Sequence, residues 1–357
     1  HGNALKLLQK LARYHRNYLK TPVIALTGSN GKTTTKELIN AVLSQKFHTT
    51  ATSGNLNNHI GVPLTVLSMT DQTEIGVVEM GANHLKEIEQ LCNIALPDYG
   101  LITNFGKAHL EGFGGVEGVI KGKSEMYRFL KENNKLAFVN GHDNKQLELT
   151  ASFNRFTFGS DKDDCPVKLK DATHQLLLEY DGLSIQSNLI GLYNFHNIAA
   201  AIAIGAYFGV PSELIKSAIE SYTPMNNRSQ LIKKGGHTIV LDAYNANPTS
   251  MLAALQNFKQ AAGNNKILIL GDMFELGSEA AMEHQAIVDY LQDNPFGKVF
   301  LIGTNFSFTS ISKSHVRSFV SFEEFKGYLS ENPLDPGTLL IKGSRGMALE
   351  RVLDLFQ

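Results

Sequence analysis

The run Thr27-Gly28-Ser29-Asn30-Gly31-Lys32-Thr33-Thr34 constrains this chain more tightly than any other feature. It follows Val23-Ile24-Ala25-Leu26, a short apolar run that reads as a buried strand, and leads into residues 33–44, which read as a helix. A glycine-rich turn between strand and helix is the setting of a phosphate loop. Glycines let the backbone turn close to an anion, and the free amides and dipole of the helix start attract it. Gly28, Ser29, Asn30, Gly31 and Thr34 would line the cradle, Lys32 would reach the outer phosphates, and the Thr33 hydroxyl would hold Mg²⁺. The usual spacing asks for glycine at position 26, where this chain has Leu26, so the loop is a shortened form unlike that of common GTPases and transporters.

A strand feeding a helix through such a turn predicts an α/β fold, and the rest of the first half agrees. Residues 4–18 read as an amphipathic helix with Leu5, Leu8, Leu11 and Leu19 roughly on one face. Residues 75–80, 99–103 and 136–139 read as further strands, separated by helical patterns at 85–92 and 116–130. Alternation of this kind implies a mostly parallel sheet covered on both faces. After residue 150 the texture changes: 153–158, 176–180 and 183–190 look like short strands, with Asp181-Gly182 as a hairpin turn. This stretch is expected to form an antiparallel appendage, followed by an alanine-rich helix at 194–208. Tyr222-Thr223-Pro224 reads as a linker. Beyond it, strands at 238–241, 266–270, 299–302 and 339–341 alternate with helices at 250–261, 279–291, 322–329 and 347–356. That pattern predicts a smaller doubly wound, Rossmann-like domain. The expected division is therefore 1–222, a leading helix and a nucleotide-binding domain, and 223–357.

Composition narrows the partners. At 357 residues the chain is too long for one ordinary core. A net charge of -1 leaves no electrostatic footprint for nucleic acid. No apolar run approaches the ~20 residues of a membrane-spanning helix, and no signal-peptide pattern is present. The two cysteines, Cys92 and Cys165, form no framework or metal-type spacing, which fits a reducing compartment and makes the cytoplasm the expected location.

Four further positions could serve the bound nucleotide. Glu79 ends the run Ile75-Gly76-Val77-Val78, and ligands of parallel sheets gather at the carboxyl ends of strands. It is placed to meet Mg²⁺; a solvent-facing loop carboxylate is the other reading. Asn104 ends the next strand and His109 follows in a short loop, where a metal role competes with a structural one. Lys123 lies in a helical run beside Glu125, and residue physics alone favours a solvated helix lysine.

Taken together, these segments resemble the Mur ligases of peptidoglycan synthesis. The phosphate loop, Ser53-Gly54-Asn55-Leu56-Asn57-Asn58, Glu79-Met80-Gly81-Ala82 and Ala108-His109-Leu110-Glu111-Gly112-Phe113-Gly114 carry the resemblance in the first half. Gly191-Leu192-Tyr193-Asn194-Phe195-His196-Asn197 and Asp242-Ala243-Tyr244-Asn245-Ala246-Asn247-Pro248 extend it. With Gly271-Asp272-Met273-Phe274-Glu275-Leu276-Gly277 and Lys342-Gly343-Ser344-Arg345, they point to the members that join D-alanyl-D-alanine to a UDP-muramoyl-tripeptide.

The resemblance implies an ATP-dependent ligase in which a substrate carboxylate attacks the γ-phosphate and the resulting acyl phosphate is captured by an amine. By position, it implies that Lys32 and Thr33 meet phosphate and Mg²⁺, that Glu79 holds the first metal, and that His109 serves a second. Lys123 would carry a carbamate that ligates metal. Asn197 would contact adenine, with Asn194 and His196 in the same motif. Arg228 would meet phosphate, and Asp242 the ribose, with Tyr244 and Asn245 close to the nucleotide. Asn104, Ser344 and Arg345 are further substrate candidates, the last two for the dipeptide carboxylate. The family also carries an N-terminal domain for the UDP-sugar end that is not found here, so the chain is expected to be a truncated form. It is further expected to act as a monomer. A folylpolyglutamate synthase-like ligase and a P-loop ATPase that does not ligate are the competing expectations.

Overall fold

A computed structural model describes residues 3–225, 227–260, 265–294 and 296–356, in two compact units, His1–Tyr222 and Thr223–Gln357.

The first unit opens with the helix Ala4–Leu19, whose start is capped by the Asn3 side chain accepting from the Leu5 and Lys6 amides. Its inward face is Ala12 and Arg16, while Leu11 stands outside, half exposed. The Arg16 guanidinium donates to the carbonyls of Ala95 and Leu96 and pairs with Asp98, whose carboxylate also accepts from Lys135 and the Val23 amide. One carboxylate thereby ties the leading helix to the amino ends of two strands.

The main sheet contains β1 (Val23–Thr27), β2 (Thr49–Ala51), β3 (Ile75–Glu79), β4 (Tyr99–Ile102), β5 (Leu136–Asn140), β6 (Arg155–Gly159) and β7 (Cys165–Pro166). Their spatial order is β2-β3-β1-β4-β5-β6-β7, and every pairing is parallel. β1 and β3 are buried along their whole length, as a strand covered on both faces must be. From β1 the order runs one way through β3 and the other way through β4. The crevice between them opens at the carboxyl ends of those three strands, the topological switch point of such sheets.

The structure corrects the expected appendage at one strand. Residues 153–158 were expected in the antiparallel part, but β6 pairs parallel to β5 and extends the main sheet. The antiparallel sheet is instead β8 (Lys168–Asp171), β9 (Gln175–Tyr180) and β10 (Leu183–Ile190), with β9 and β10 joined at Asp181 and Gly182 in the left-handed conformations of a tight hairpin. The helical run expected at 116–130 is two helices, Val116–Lys123 and Glu125–Glu132, meeting at Ser124. Behind the sheet, Tyr193–Tyr207 packs on Lys32–Leu43. Alanines and Gly205 let the two backbones approach: a Cβ at Gly205 would sit 2.4 Å from the Val42 side chain.

The second unit is a mixed sheet of β11 (Gln230–Lys234), β12 (His237–Asp242), β13 (Lys266–Gly271), β14 (Lys298–Ile302), β15 (Val316–Phe319) and β16 (Thr338–Lys342). The order is β11-β12-β16-β13-β14-β15, parallel except for the β11–β12 hairpin. The helices Pro248–Gln260, Ala280–Asp293 and Phe322–Glu331 cover it. The α-helix expected at 347–356 is replaced by the 3₁₀ segments Arg345–Met347 and Leu349–Leu355, divided by Ala348 at φ 49°. Leu349 and Val352 are buried and Leu355 half-buried, a spacing of three that suits a three-residue turn. Among the described residues no helix is long and apolar enough to cross a membrane.

Candidate active site

The phosphate loop leaves β1 at Gly28, with φ 147°, and enters the helix Lys32–Leu43 through Gly31, with φ 79°. Residues after β4 brace it from one side. The Ser29 amide donates to the Asn104 carbonyl (3.0 Å) and the Ser29 hydroxyl to the Gly106 carbonyl (2.6 Å). The Asn104 side chain accepts from the Asn30 amide (3.2 Å) and donates to the Asn30 carbonyl (3.0 Å), which also accepts from the Thr103 hydroxyl (2.6 Å). From beneath, Asn197 accepts from the Thr35 hydroxyl and donates to Asn194, which in turn donates to the Ile190 carbonyl. The structure thus puts Asn104, Asn194 and Asn197 against the loop and the helix that follows it, with their amides engaged. Thr33 and Thr34 are buried at the helix start, and the Lys32 ammonium donates back to the Gly28 carbonyl at 2.7 Å.

Both glycines are required by space as well as by φ. A Cβ at Gly28 would lie 1.9 Å from Thr103 Oγ1, and one at Gly31 would lie 2.5 Å from Asn197 Oδ1. Gly28→Ala is therefore expected to lower the unfolding free energy by about 1–3 kcal/mol, the cost of a strained backbone position, and to weaken nucleotide binding through the displaced loop. Thermal denaturation with a parallel ATP titration checks this. Unchanged binding in the folded variant would show that the loop's shape does not matter.

Across the crevice, Glu79 ends β3 and is 1 % exposed. Its amide donates to Thr52 Oγ1 (2.9 Å), Oε1 accepts from Asn57 Nδ2 (2.8 Å), and Oε2 has no hydrogen-bond partner among the described residues. Lys123 is 0 % exposed, and its amine likewise lacks a hydrogen-bond partner among the described residues. Phe113 covers it, the ring centroid 5.3 Å from Nζ. Burial first, then the charge of Lys32, holds the Lys123 ammonium well below the ordinary lysine range, against a smaller opposing pull from Glu87. Two residues on, the buried Glu125 carboxylate accepts from the Lys86 and Glu89 amides and so caps the helix Glu87–Ala95. His109 is half-buried in the left-handed conformation (φ 54°), just before the short helix Leu110–Phe113.

Burying a polar atom without a partner costs on the order of 1–3 kcal/mol, so such atoms point to function. A carboxylate oxygen and a threonine hydroxyl suit Mg²⁺ when phosphate oxygens and water complete the shell. Among the described residues no group of three or more His, Cys, Asp or Glu is arranged for a metal. A lysine ammonium does not fit beside such a cation; a lysine carbamate does.

At the end of β5, Asn140 contacts His196 (3.3 Å to Nδ1), and the rings of His142 and His196 lie 5.7 Å apart. Burial and His142 push His196 below the usual histidine range, against Asp143, which favours the neutral imidazole. The sequence analysis did not single out Asn140 or His142, which the structure places beside His196; their position at the end of an apolar run was the available signal.

In the second unit, Arg228 stacks on the Tyr244 ring, 3.5 Å from its centroid. Asp242 pairs with the buried Lys342 and accepts from the Ser229 amide, while Lys342 also reaches the Asn245 carbonyl (3.3 Å). Ser344 is buried between loops, accepting from the Phe274 amide and donating to the Ala246 carbonyl. Arg345 is exposed and paired with Glu350. Arg228, Asp242, Tyr244, Asn245 and Lys342 thus form one cluster at the carboxyl ends of β12 and β16, with Ser344 just beyond β16.

A phosphate loop that faces a strand-end glutamate and a buried lysine, on a chain with a second doubly wound unit, is the arrangement of a nucleotide-dependent ligase. The Mur ligase middle domain model matches residues 26–205 and the "Mur ligase, glutamate ligase domain" model matches residues 227–344, and the chain belongs to the Mur ligase family. It is 36% identical to the UDP-N-acetylmuramoyl-tripeptide–D-alanyl-D-alanine ligase of Bacillus subtilis, over 98% of this chain and 79% of the relative. The solved structure of MurF from Acinetobacter baumannii superposes with a TM-score of 0.89 at 32% identity, covering 99% of this chain and 81% of that one. MurF ligase from Thermotoga maritima, in complex with ADP, gives a TM-score of 0.86 at 27% identity, over 100% and 84%.

Proposed function

We propose that this chain joins D-alanyl-D-alanine to UDP-N-acetylmuramoyl-tripeptide with ATP, through an acyl phosphate, in the cytoplasm. The observation that carries the reading is the likeness to the Bacillus subtilis ligase across nearly the whole chain. The unpartnered Glu79 oxygen and the buried Lys123 amine support the chemistry: the first suits the cation of any phosphate-loop enzyme, and the second, as a carbamate, suits a Mur ligase metal site.

The loop amides, Lys32 and the helix start would bind the phosphates and align the γ-phosphoryl group with the attacking carboxylate. Bound Mg²⁺ would neutralise the charge that develops on the phosphate oxygens. Thr33 and Glu79 would hold one ion, His109 and Lys123 a second. Lys123 would serve as a carbamate: its neutral amine adds to CO₂ and a proton is released, turning a cation into an oxygen ligand. Burial favours that neutral amine. Asn194, His196 and Asn197 would serve the nucleotide on the β5 side. Arg228, Asp242, Tyr244 and Asn245 would serve its phosphate and ribose, with Lys342 fixing Asp242. Asn104, Ser344 and Arg345 would serve the substrates, Asn104 by shaping the loop. All these residues lie in one chain, and we take the acting unit to be a monomer.

ADP release under ATP and Mg²⁺ is expected only when both the muramoyl tripeptide and D-alanyl-D-alanine are present. ADP released equally well without the amine would leave a P-loop ATPase, and glutamate replacing the dipeptide would favour a folylpolyglutamate synthase-like ligase.

A further inference from the structure

The loop that follows β2 carries Ser53-Gly54-Asn55-Leu56-Asn57-Asn58-His59-Ile60, and every one of these residues except Asn57 is exposed. Asn57 is held on three sides. Its carbonyl accepts from the Gly81 amide at 2.7 Å, its amide donates to the Asn55 carbonyl at 2.7 Å, and its side-chain amide donates to Glu79 Oε1 at 2.8 Å. Gly81 lies so close that a Cβ there would sit 2.8 Å from Asn57 Oδ1, which leaves the side chain little room to rotate. Glu79 is held from the other side by Thr52, which accepts the Glu79 amide on its hydroxyl (2.9 Å). The Thr52 carbonyl in turn accepts from the buried Lys36 ammonium (2.8 Å). These bonds account for the Glu79 amide and for one carboxylate oxygen. They leave Oε2, buried and without a hydrogen-bond partner among the described residues.

We infer that Asn57 is a positioning residue that occupies Glu79 Oε1 and so presents Oε2 alone to the nucleotide-bound cation as a single-oxygen ligand. This rests on the ligase reading above. The chemical reason is that a free carboxylate on a strand end can turn about its last bond, offer either oxygen, or chelate with both. Mg²⁺ demands near-octahedral geometry and is served by a carboxylate oxygen fixed in direction. An amide donor tying down one oxygen removes the other choices without adding charge, as residues behind metal ligands commonly do. It also explains why the one residue of this stretch that is not exposed turns its side-chain amide onto Glu79.

The test uses Mn²⁺ as the probe, with ADP, and reads binding by electron paramagnetic resonance, so it does not depend on turnover. Asn57→Ala is expected to weaken Mn²⁺ binding by about 10–100-fold, with nucleotide affinity in the absence of metal unchanged. In a Glu79→Gln background the same substitution is expected to change Mn²⁺ binding no further, because the group it acts through is gone. Equal weakening in both backgrounds would overturn the inference, as would wild-type Mn²⁺ binding by Asn57→Ala. If Asn57→Ala does not fold, Asn57→Gln keeps the amide but moves it by one methylene, and it is expected to weaken the metal by a smaller factor; wild-type binding there would count against the inference in the same way. Wild-type protein that binds no Mn²⁺ with ADP removes the ligase reading and this inference together, whereas a normal wild-type signal that survives in the Asn57 variants removes the inference alone.

Discussion

Lys123→Ala is expected to lose at least about 100-fold in ligation, the upper range for disturbing a metal-holding group, and to regain part of it when acetate or formate is added. The side chain is fully buried, its amine lacks a hydrogen-bond partner among the described residues, and Phe113 covers it. A cation there would face Mg²⁺ with a cost on the order of 8 kcal/mol at ~4 Å and an effective dielectric of about 20, counting the double charge of the ion. Carbamylation reverses the sign of that interaction. Removing the side chain leaves a space that a small carboxylate can enter, with oxygens where the carbamate oxygens would be. Lys123→Arg keeps the space filled with a cation and is expected to stay inactive whatever is added. Steady-state ligation with and without the added carboxylate decides the matter. Full activity of Lys123→Ala with no additive would return Lys123 to the role of a packing residue.

Lys32→Ala is expected to reduce nucleotide turnover by about 10²–10³-fold or more, the range for removing one group that meets developing charge. In the structure the Lys32 ammonium is anchored on the Gly28 carbonyl, within the loop itself. It is therefore already at the helix start, and when phosphate arrives it need only exchange a carbonyl for a phosphate oxygen. The fold should tolerate the change, since the loop is braced chiefly by Ser29, Thr103 and Asn104. Single-turnover ADP formation, compared with an unfolding curve on the same sample, separates the two effects. A folded Lys32→Ala protein turning over ATP at the wild-type rate would refute the assignment of this loop to the phosphates.

The parts of the molecule that were readable in the sequence are those whose cause is local. Glycines at a strand–helix junction followed by Lys-Thr have few other uses, and β-branched runs such as Val23–Thr27 and Ile75–Glu79 declare buried parallel strands on their own. β6 was misplaced because Arg155-Phe156-Thr157-Phe158 alternates polar and apolar residues as a half-exposed strand does, and nothing local tells which neighbour it will pair with. The burial of Lys123 was invisible for a different reason. Gly118 and Gly122 lie one turn apart on its helix, and Phe113 packs onto both; a Cβ would come within 1.8 Å of the Phe113 carbonyl at Gly118 and within 2.4 Å of the ring at Gly122. Two glycines inside a short helix are unfavourable unless something needs the space. That signal was present but could not say which side chain would be enclosed, and only the family resemblance named Lys123. The C-terminal 3₁₀ segments mimic a helical spacing in sequence and differ only by the left-handed Ala348 between them.

The main sheet has a further property that concerns the chain before it is fully folded and when it is crowded by others like it. A sheet edge offers unpaired amides and carbonyls to any passing strand, and a long flat edge invites aggregation. Here the β2 edge is three residues long and the β7 edge is two, one of which, Pro166, has no amide hydrogen to give. The strands that carry the phosphate loop and Glu79 lie inside, protected by these stubs at either margin. Replacing Pro166 or lengthening either stub would leave the catalytic crevice intact, yet it would open a seam along which two copies could stitch together.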